Sequence, residues 1–183
     1  MELLQAIGFS APAGLNAYLT LLLVGLAGRF GVVELTGAWG ERLTNPYIIG
    51  GLALLTVYEV VVDKVPGLDH INDIVGTVVR PLSGALLMLA TPNPLTEDSP
   101  IAAVVVGGGI AGALHTLKML LRPLVTVTTA GFGNPVVSTL EDTAAATTVI
   151  AAIIAPVLIA LLLAFAVAVL WWALTRRRRA RGP

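Results

Sequence analysis

The sequence predicts an all-α integral membrane protein, a bundle of about five transmembrane helices with candidate re-entrant or half-helical segments near residues 3–12 and 124–142. Three observations predict it. Mean hydropathy is +0.89. Only 12% of the residues are charged against 56% hydrophobic, whereas a soluble domain carries roughly a quarter charged residues. Residues 149–174 contain no charged or strongly polar side chain, a run long enough to cross a ~30 Å hydrocarbon core with some tilt.

The first span is expected over residues 14–31, after a short apolar stretch that Pro12 separates from it. The start Met1-Glu2-Leu3-Leu4 has no basic n-region, so a retained segment is expected rather than a cleaved signal peptide. A loop with Glu34, Glu41 and Arg42 leads to Asn45-Pro46, where proline suits the start of a second span over 45–62. Pro66-Gly67 turns the chain into a third span over 69–90, which Thr91-Pro92-Asn93-Pro94 ends. A fourth covers 101–121. The Thr- and Gly-rich stretch 122–148, interrupted by Asn134-Pro135, reads either as a loop dipping into the protein or as an extramembrane loop. The fifth span is the apolar run 149–174, with Pro156 as a kink point.

Five of the eleven Lys and Arg residues are Arg176, Arg177, Arg178, Arg179 and Arg181. Directly after Trp171 and Trp172, this tail reads as an interfacial anchor and a positive-inside signal rather than a nucleic-acid-binding arm. The expected organisation is one transmembrane domain over 1–175 and a basic cytoplasmic tail over 176–183, in a bacterial cytoplasmic membrane. With five spans, the loop carrying Arg29 and Arg42 falls on the cytoplasmic side as well. There are no cysteines, so disulfides and thiolate metal sites are absent.

Most remaining ionisable residues then gather in one half of the membrane, on its non-cytoplasmic side. Glu59, Asp63 and Lys64 end the second span; Asp69, His70, Asp73 and Arg80 begin the third. His115, Lys118 and Arg122 end the fourth, and Glu141 and Asp142 follow. Residues three, four or seven apart share a helix face, so Glu59 with Asp63, Asp69 with Asp73 and Arg80, and His115 with Lys118 and Arg122 form three stripes. A charge as deep as Arg80 costs roughly 2.5–3.5 kcal/mol on insertion scales, and it should face protein or water, paired with Asp73 or a carboxylate of the second span. Charges nearer the span ends can instead snorkel to head groups, and a static ion-pair network is a further alternative. Tyr58 and Asn72 read as hydrogen-bonding neighbours. Arg80-Pro81-Leu82 recurs as Arg122-Pro123-Leu124, a short echo of the kind internal repeats leave.

Such a site suits a hard divalent cation on Glu59, Asp63, Asp69 and Asp73, protons carried by carboxylates and histidines, or a lipid phosphate held by Arg80, Lys118 and Arg122. Walker, HExxH, GxSxG and Rossmann patterns are absent, and no organic cofactor is expected. The leading expectation is a small transporter or permease for an ion, a proton-coupled solute or an anionic lipid head group. An intramembrane metal-dependent enzyme acting on a lipid phosphate, or a non-catalytic scaffold, is the alternative. The expected surroundings are the lipid bilayer, with no nucleic acid. The small residues between Gly107 and Gly112 offer a close-contact face for a homo-oligomer.

The strings GLNAYLTLLLVGLAGRFG, EVVVDKVPGLDHINDIVGTVVRPLSGALL and NPVVSTLED resemble a family of small bacterial membrane proteins known as domain of unknown function 4126. The resemblance covers nearly the whole chain except the Arg tail. It implies a multi-pass bundle and points to the same middle segment, without naming a substrate.

Overall fold

The computed structural model describes residues 2–65, 68–154 and 156–179, and among them the chain is helical with no strand. The N-terminal segment folds as a hairpin in which neither described helix is long enough to cross a membrane by itself. Helix α1 (Glu2–Ser10) leads through a 3₁₀ turn (Pro12–Gly14) to α2 (Ala17–Arg29), and the packing of each piece gives its direction. Ala6 meets Met88 and Ala103, the Ser10 hydroxyl lies 2.9 Å from the Gly84 carbonyl, Gly14 abuts the Ala111 backbone, and the Leu15 carbonyl accepts from Lys118. The chain therefore descends alongside the helix that carries residues 103–118 and then turns back. The first turn of α2 starts beside Glu59, and its last residue, Arg29, donates to the Thr44 carbonyl. With 13 residues, α2 is ~20 Å long, short of the ~30 Å hydrocarbon core. The expected half-helix near residues 3–12 is present. The expected first span is the returning arm of a re-entrant hairpin, reversed where Pro12 and Asn16 interrupt the helix.

The short helix α3 (Gly37–Leu43) meets α4 (Pro46–Val62) at 67°. Asn45 caps α4 by accepting from the Tyr47 N–H, with Pro46 in the first turn, where a missing donor costs least. Helix α5 (Leu68–Ala90) returns to the end where the loop after α2 lies, tied there by the Thr36 N–H to the Ala90 carbonyl. A single turn, α6 (Pro94–Asp98), precedes α7 (Pro100–Thr129).

Helices α5 and α7 form the tightest pair because glycines let their backbones touch. A Cβ added to Gly84 would lie 2.5 Å from the Gly107 carbonyl oxygen, and one added to Gly107 would lie 2.5 Å from that of Gly84. Gly108 and Gly112 approach Pro81 in the same seam. The small-residue face expected to receive a second copy is thus turned toward α5.

Helix α7 runs two turns past the end expected at residue 121. Pro123 lies inside it, and the threonines that made this stretch resemble a loop serve the helix instead. Thr126, Thr128 and Thr129 each donate to the carbonyl four residues earlier, a bond available to hydroxyls within a helix. Ala130, at φ 51°, and Gly131, at φ 86°, end it in the left-handed region, and α8 (Asn134–Ile154) begins after a tight turn. Segment 124–142 is therefore the tip of a helical hairpin.

The apolar run 149–174 is divided between α8 and α9 (Pro156–Arg179), with Pro156 starting a helix rather than kinking one. Thr148 of α8 and Leu162 and Leu163 of α9 line one small cavity with Ala11 and Leu114. A straight helix would separate residues 148 and 162 by about 21 Å, so α9 folds back along α8. Among the described residues α5, α7 and α8 are each long and apolar enough to cross a membrane, and the bent pair α3–α4 is so when its two helices are taken together. Because α9 folds back along α8, it runs toward the end opposite Arg29 and Arg42.

Candidate functional site

The charged stripes converge. The last turn of α4, the first half of α5, the second half of α7, the start of α8 and the tip of the N-terminal hairpin all contribute to one buried ionic network.

Asp63, the C-cap of α4, occupies its centre. Its carboxylate accepts from Lys118 at 2.9 Å, Arg122 at 3.1 Å and Asn72 at 2.8 Å, and lies 3.7 Å from Arg80. Arg80 is fully buried. One of its amino groups donates to Asp73 at 3.1 Å and to His115 Nδ1 at 2.7 Å, and the other donates to Glu59 at 3.2 Å. Gly76, one turn earlier, makes room for it, since a Cβ there would lie 3.1 Å from the guanidinium carbon. Arg122 holds Asp73, Asp63 and Glu141 together at 3.1, 3.1 and 2.9 Å. Lys118 directs its three donors to Asp63, Glu141 and the Leu15 carbonyl, the full capacity of an ammonium group. At the edge, Lys64 pairs with Asp142 at 2.9 Å.

Because a guanidinium can only donate, His115 Nδ1 accepts, and the neutral ring carries its proton on Nε2. That nitrogen lies 3.3 Å from the Thr77 hydroxyl, which itself bonds the Asp73 carbonyl.

The hairpin tip belongs to this site. The Tyr18 N–H, in the first turn of α2, donates to Glu59 at 3.2 Å, so a carboxylate lies against the positive end of that helix. Asn16 accepts from the Leu19 N–H at 2.9 Å as the N-cap and donates to Asp142 at 2.8 Å. Asn16→Ala should therefore lower stability by roughly 2 kcal/mol, about half from the lost cap and half from the lost Asp142 bond. Thermal unfolding in detergent reads this directly, and a melting temperature equal to wild type would show that the tip is not held through Asn16.

Of the residues singled out from the sequence, Glu59, Asp63, Asp73, Arg80, His115, Lys118, Arg122, Glu141 and Asp142 meet in the network. Asp69 joins through Asn134 at 2.8 Å, with Arg122 at 3.9 Å. His70 does not join it: the side chain is exposed and lines a cavity beside it. Asn72 is the expected hydrogen-bonding neighbour, whereas Tyr58 is 54% exposed. Sequence reasoning missed Asn16, the Leu15 carbonyl and Asn134. A polar side chain just after a Pro-Ala-Gly break was the available signal for the first two.

The network has two consequences for chemistry. Six carboxylates, those of Glu59, Asp63, Asp69, Asp73, Glu141 and Asp142, face the four cations Lys64, Arg80, Lys118 and Arg122. Counted at formal charges, these described side chains sum to −2. The carboxylates turn toward guanidinium and ammonium groups, and among the described residues no three of His, Asp and Glu converge as a metal site requires.

The sequence pattern of the family described as domain of unknown function (DUF4126) matches residues 3–176. No curated protein and no solved structure matches the chain.

Proposed function

The chain belongs to the DUF4126 family, and from that premise we propose that it is a small permease moving a cation or a proton-coupled solute through the buried ionic network. The observation that carries this reading is the acid surplus of a network buried among membrane-spanning helices and closed by the tip of a broken helix. An uncompensated charge in a low dielectric is costly, so two surplus carboxylates favour uptake of protons or a cation. Discontinuous helices that bring an N-terminus and a backbone carbonyl from outside the helix to a charged site are a recurrent way of building transport sites. Here the Tyr18 N–H and the Leu15 carbonyl supply those two groups.

An anionic lipid head group fits less well, because Arg80, Lys118 and Arg122 are already turned to carboxylates. The protein lies in the cytoplasmic membrane of a bacterium as one transmembrane domain with a basic tail at 176–183. The positive-inside rule places the end where α9 finishes in the cytoplasm. The network then lies in the cytoplasmic half of the bilayer, opposite to the side read from five simple spans.

Reconstitution into liposomes tests this, with proton, monovalent-cation and amine fluxes measured for the wild type, Asp73→Asn and Glu59→Gln. The expected result is a wild-type flux that falls at least ~10-fold in both variants, about 1.4 kcal/mol in barrier, while both stay folded. Unchanged flux in folded variants would show a network that only fixes helix packing.

A further inference from the structure

Between the first turns of α5 and the last three turns of α7 lies a cavity of about 350 Å³. Asp69, His70, Asp73, Arg122, Thr126 and Asn134 form its polar side, and Met119, Pro123 and Val127 form an apolar wall. The helix surfaces around it are greasy and exposed: Ile74 is 58% exposed, Leu120 66%, Leu124 60% and Val127 83%. In a bilayer such residues face lipid. The cavity is thus a cleft at the edge of the bundle, charged inside and hydrocarbon-flanked outside, and the molecule suited to it is an amphiphile.

Hydrogen-bonding capacity decides the charge of its head. Both amino groups of Arg122 are directed at Asp63, Asp73 and Glu141. The Asn134 amide donates to Asp69, and its oxygen accepts from Thr126. A carboxylate offers about four lone-pair sites, so the polar side retains acceptor capacity on Asp73, which belongs to a network with surplus negative charge. A phosphate would meet a guanidinium already paired with three carboxylates, with Asp69 and Asp73 opposing its charge. A divalent metal lacks a third convergent ligand among the described residues.

We propose that this cleft binds the primary ammonium group of an amphiphile, seated against Asp69 and Asp73, with its hydrocarbon along Met119, Pro123 and Val127. The proposal builds on the permease reading by naming the class of cation that reaches the network. Two sources share this chemistry, a lipid head-group amine and a free alkylamine.

Binding tests it without transport. The purified full-length protein in neutral detergent is titrated with octylammonium, ethanolamine, phosphatidylethanolamine, octyl phosphate and phosphatidylglycerol, and followed by native mass spectrometry and thermal shift. Octylammonium or phosphatidylethanolamine should bind and raise the melting temperature, and the two anionic probes should not. Phosphatidylethanolamine binding well ahead of octylammonium identifies a lipid source, and the reverse order identifies a free amine. Val127→Trp, at a site too exposed to disturb folding, should weaken binding of the preferred probe at least ~10-fold by filling the cleft, as should Asp73→Asn. Equal binding of octyl phosphate, binding of neither ammonium amphiphile, or binding unchanged in a folded Val127→Trp overturns the proposal. Ammonium binding without any flux would refute the permease reading and leave the site standing; cation flux without ammonium binding would do the reverse.

Discussion

Arg80→Gln is expected to destabilise the protein by about 3–5 kcal/mol, the range for removing one partner from a buried ion pair. The guanidinium is fully buried and bonds Glu59, Asp73 and His115 at once. Glutamine removes a positive charge from a network already short of them, and leaves two carboxylates facing each other across α4 and α5. Loss of an acid should have a much smaller effect, because it reduces the surplus. Glu59→Gln alone should shift the melting temperature little, and the double variant Arg80→Gln/Glu59→Gln should recover part of what Arg80→Gln loses. Arg80→Lys should rescue poorly, since a point-like ammonium cannot reproduce the planar fork that reaches both carboxylates and the imidazole. Thermal unfolding in detergent and monodispersity on size exclusion measure all four variants. If Arg80→Gln and Glu59→Gln were equally mild, the acid surplus would not govern the network.

Gly84→Val is expected to cost about 3 kcal/mol, the upper end for overpacking, and to disturb the site from about one turn beyond Arg80. The obstacles to a new Cβ are the Gly107 carbonyl oxygen and the Ala111 Cβ, both at 2.5 Å, and neither can rotate aside. The helices must move apart. Asp73 and Arg80 lie on one of them, and His115, Lys118 and Arg122 lie on the other, so separation lengthens every pair between these two sets. Gly109→Ala is the control: a Cβ there has nothing within 4 Å, and the gain in helix propensity should leave stability unchanged or raised by up to about 1 kcal/mol. Comparing the two melting temperatures tests the seam, and a stable Gly84→Val would show that α5 and α7 can adjust without it.

Much of this site was legible because its signals are local. Hydropathy marks the helices that sit in lipid, and the 3.6-residue period places Asp69, Asp73 and Arg80 on one face and His115, Lys118 and Arg122 on another. Charges too costly to expose to hydrocarbon then have to find one another. The membership of Asp142 and Glu141 could also be read, since they lie near the end of the membrane where α4 ends and α5 begins. Asn16 could not be placed so firmly: its partner Asp142 is 126 positions away, and nothing in the local pattern links them.

The sequence by itself determined the helical membrane class and nearly the full set of ionisable residues in the network, because burial cost and helical spacing are properties of short windows. The tertiary structure alone decided that residues 2–29 fold as a hairpin of short helices, that 124–142 is a helical hairpin tip, and that α9 returns along α8. Those features set the number of crossings, and with it which ends of the chain share a side. The physical reason is that a short apolar helix has the same composition whether it crosses or turns back. What separates the two outcomes is the set of distant groups, here Lys118 for the Leu15 carbonyl and Glu59 for the Tyr18 N–H, that satisfy its interrupted backbone at membrane depth.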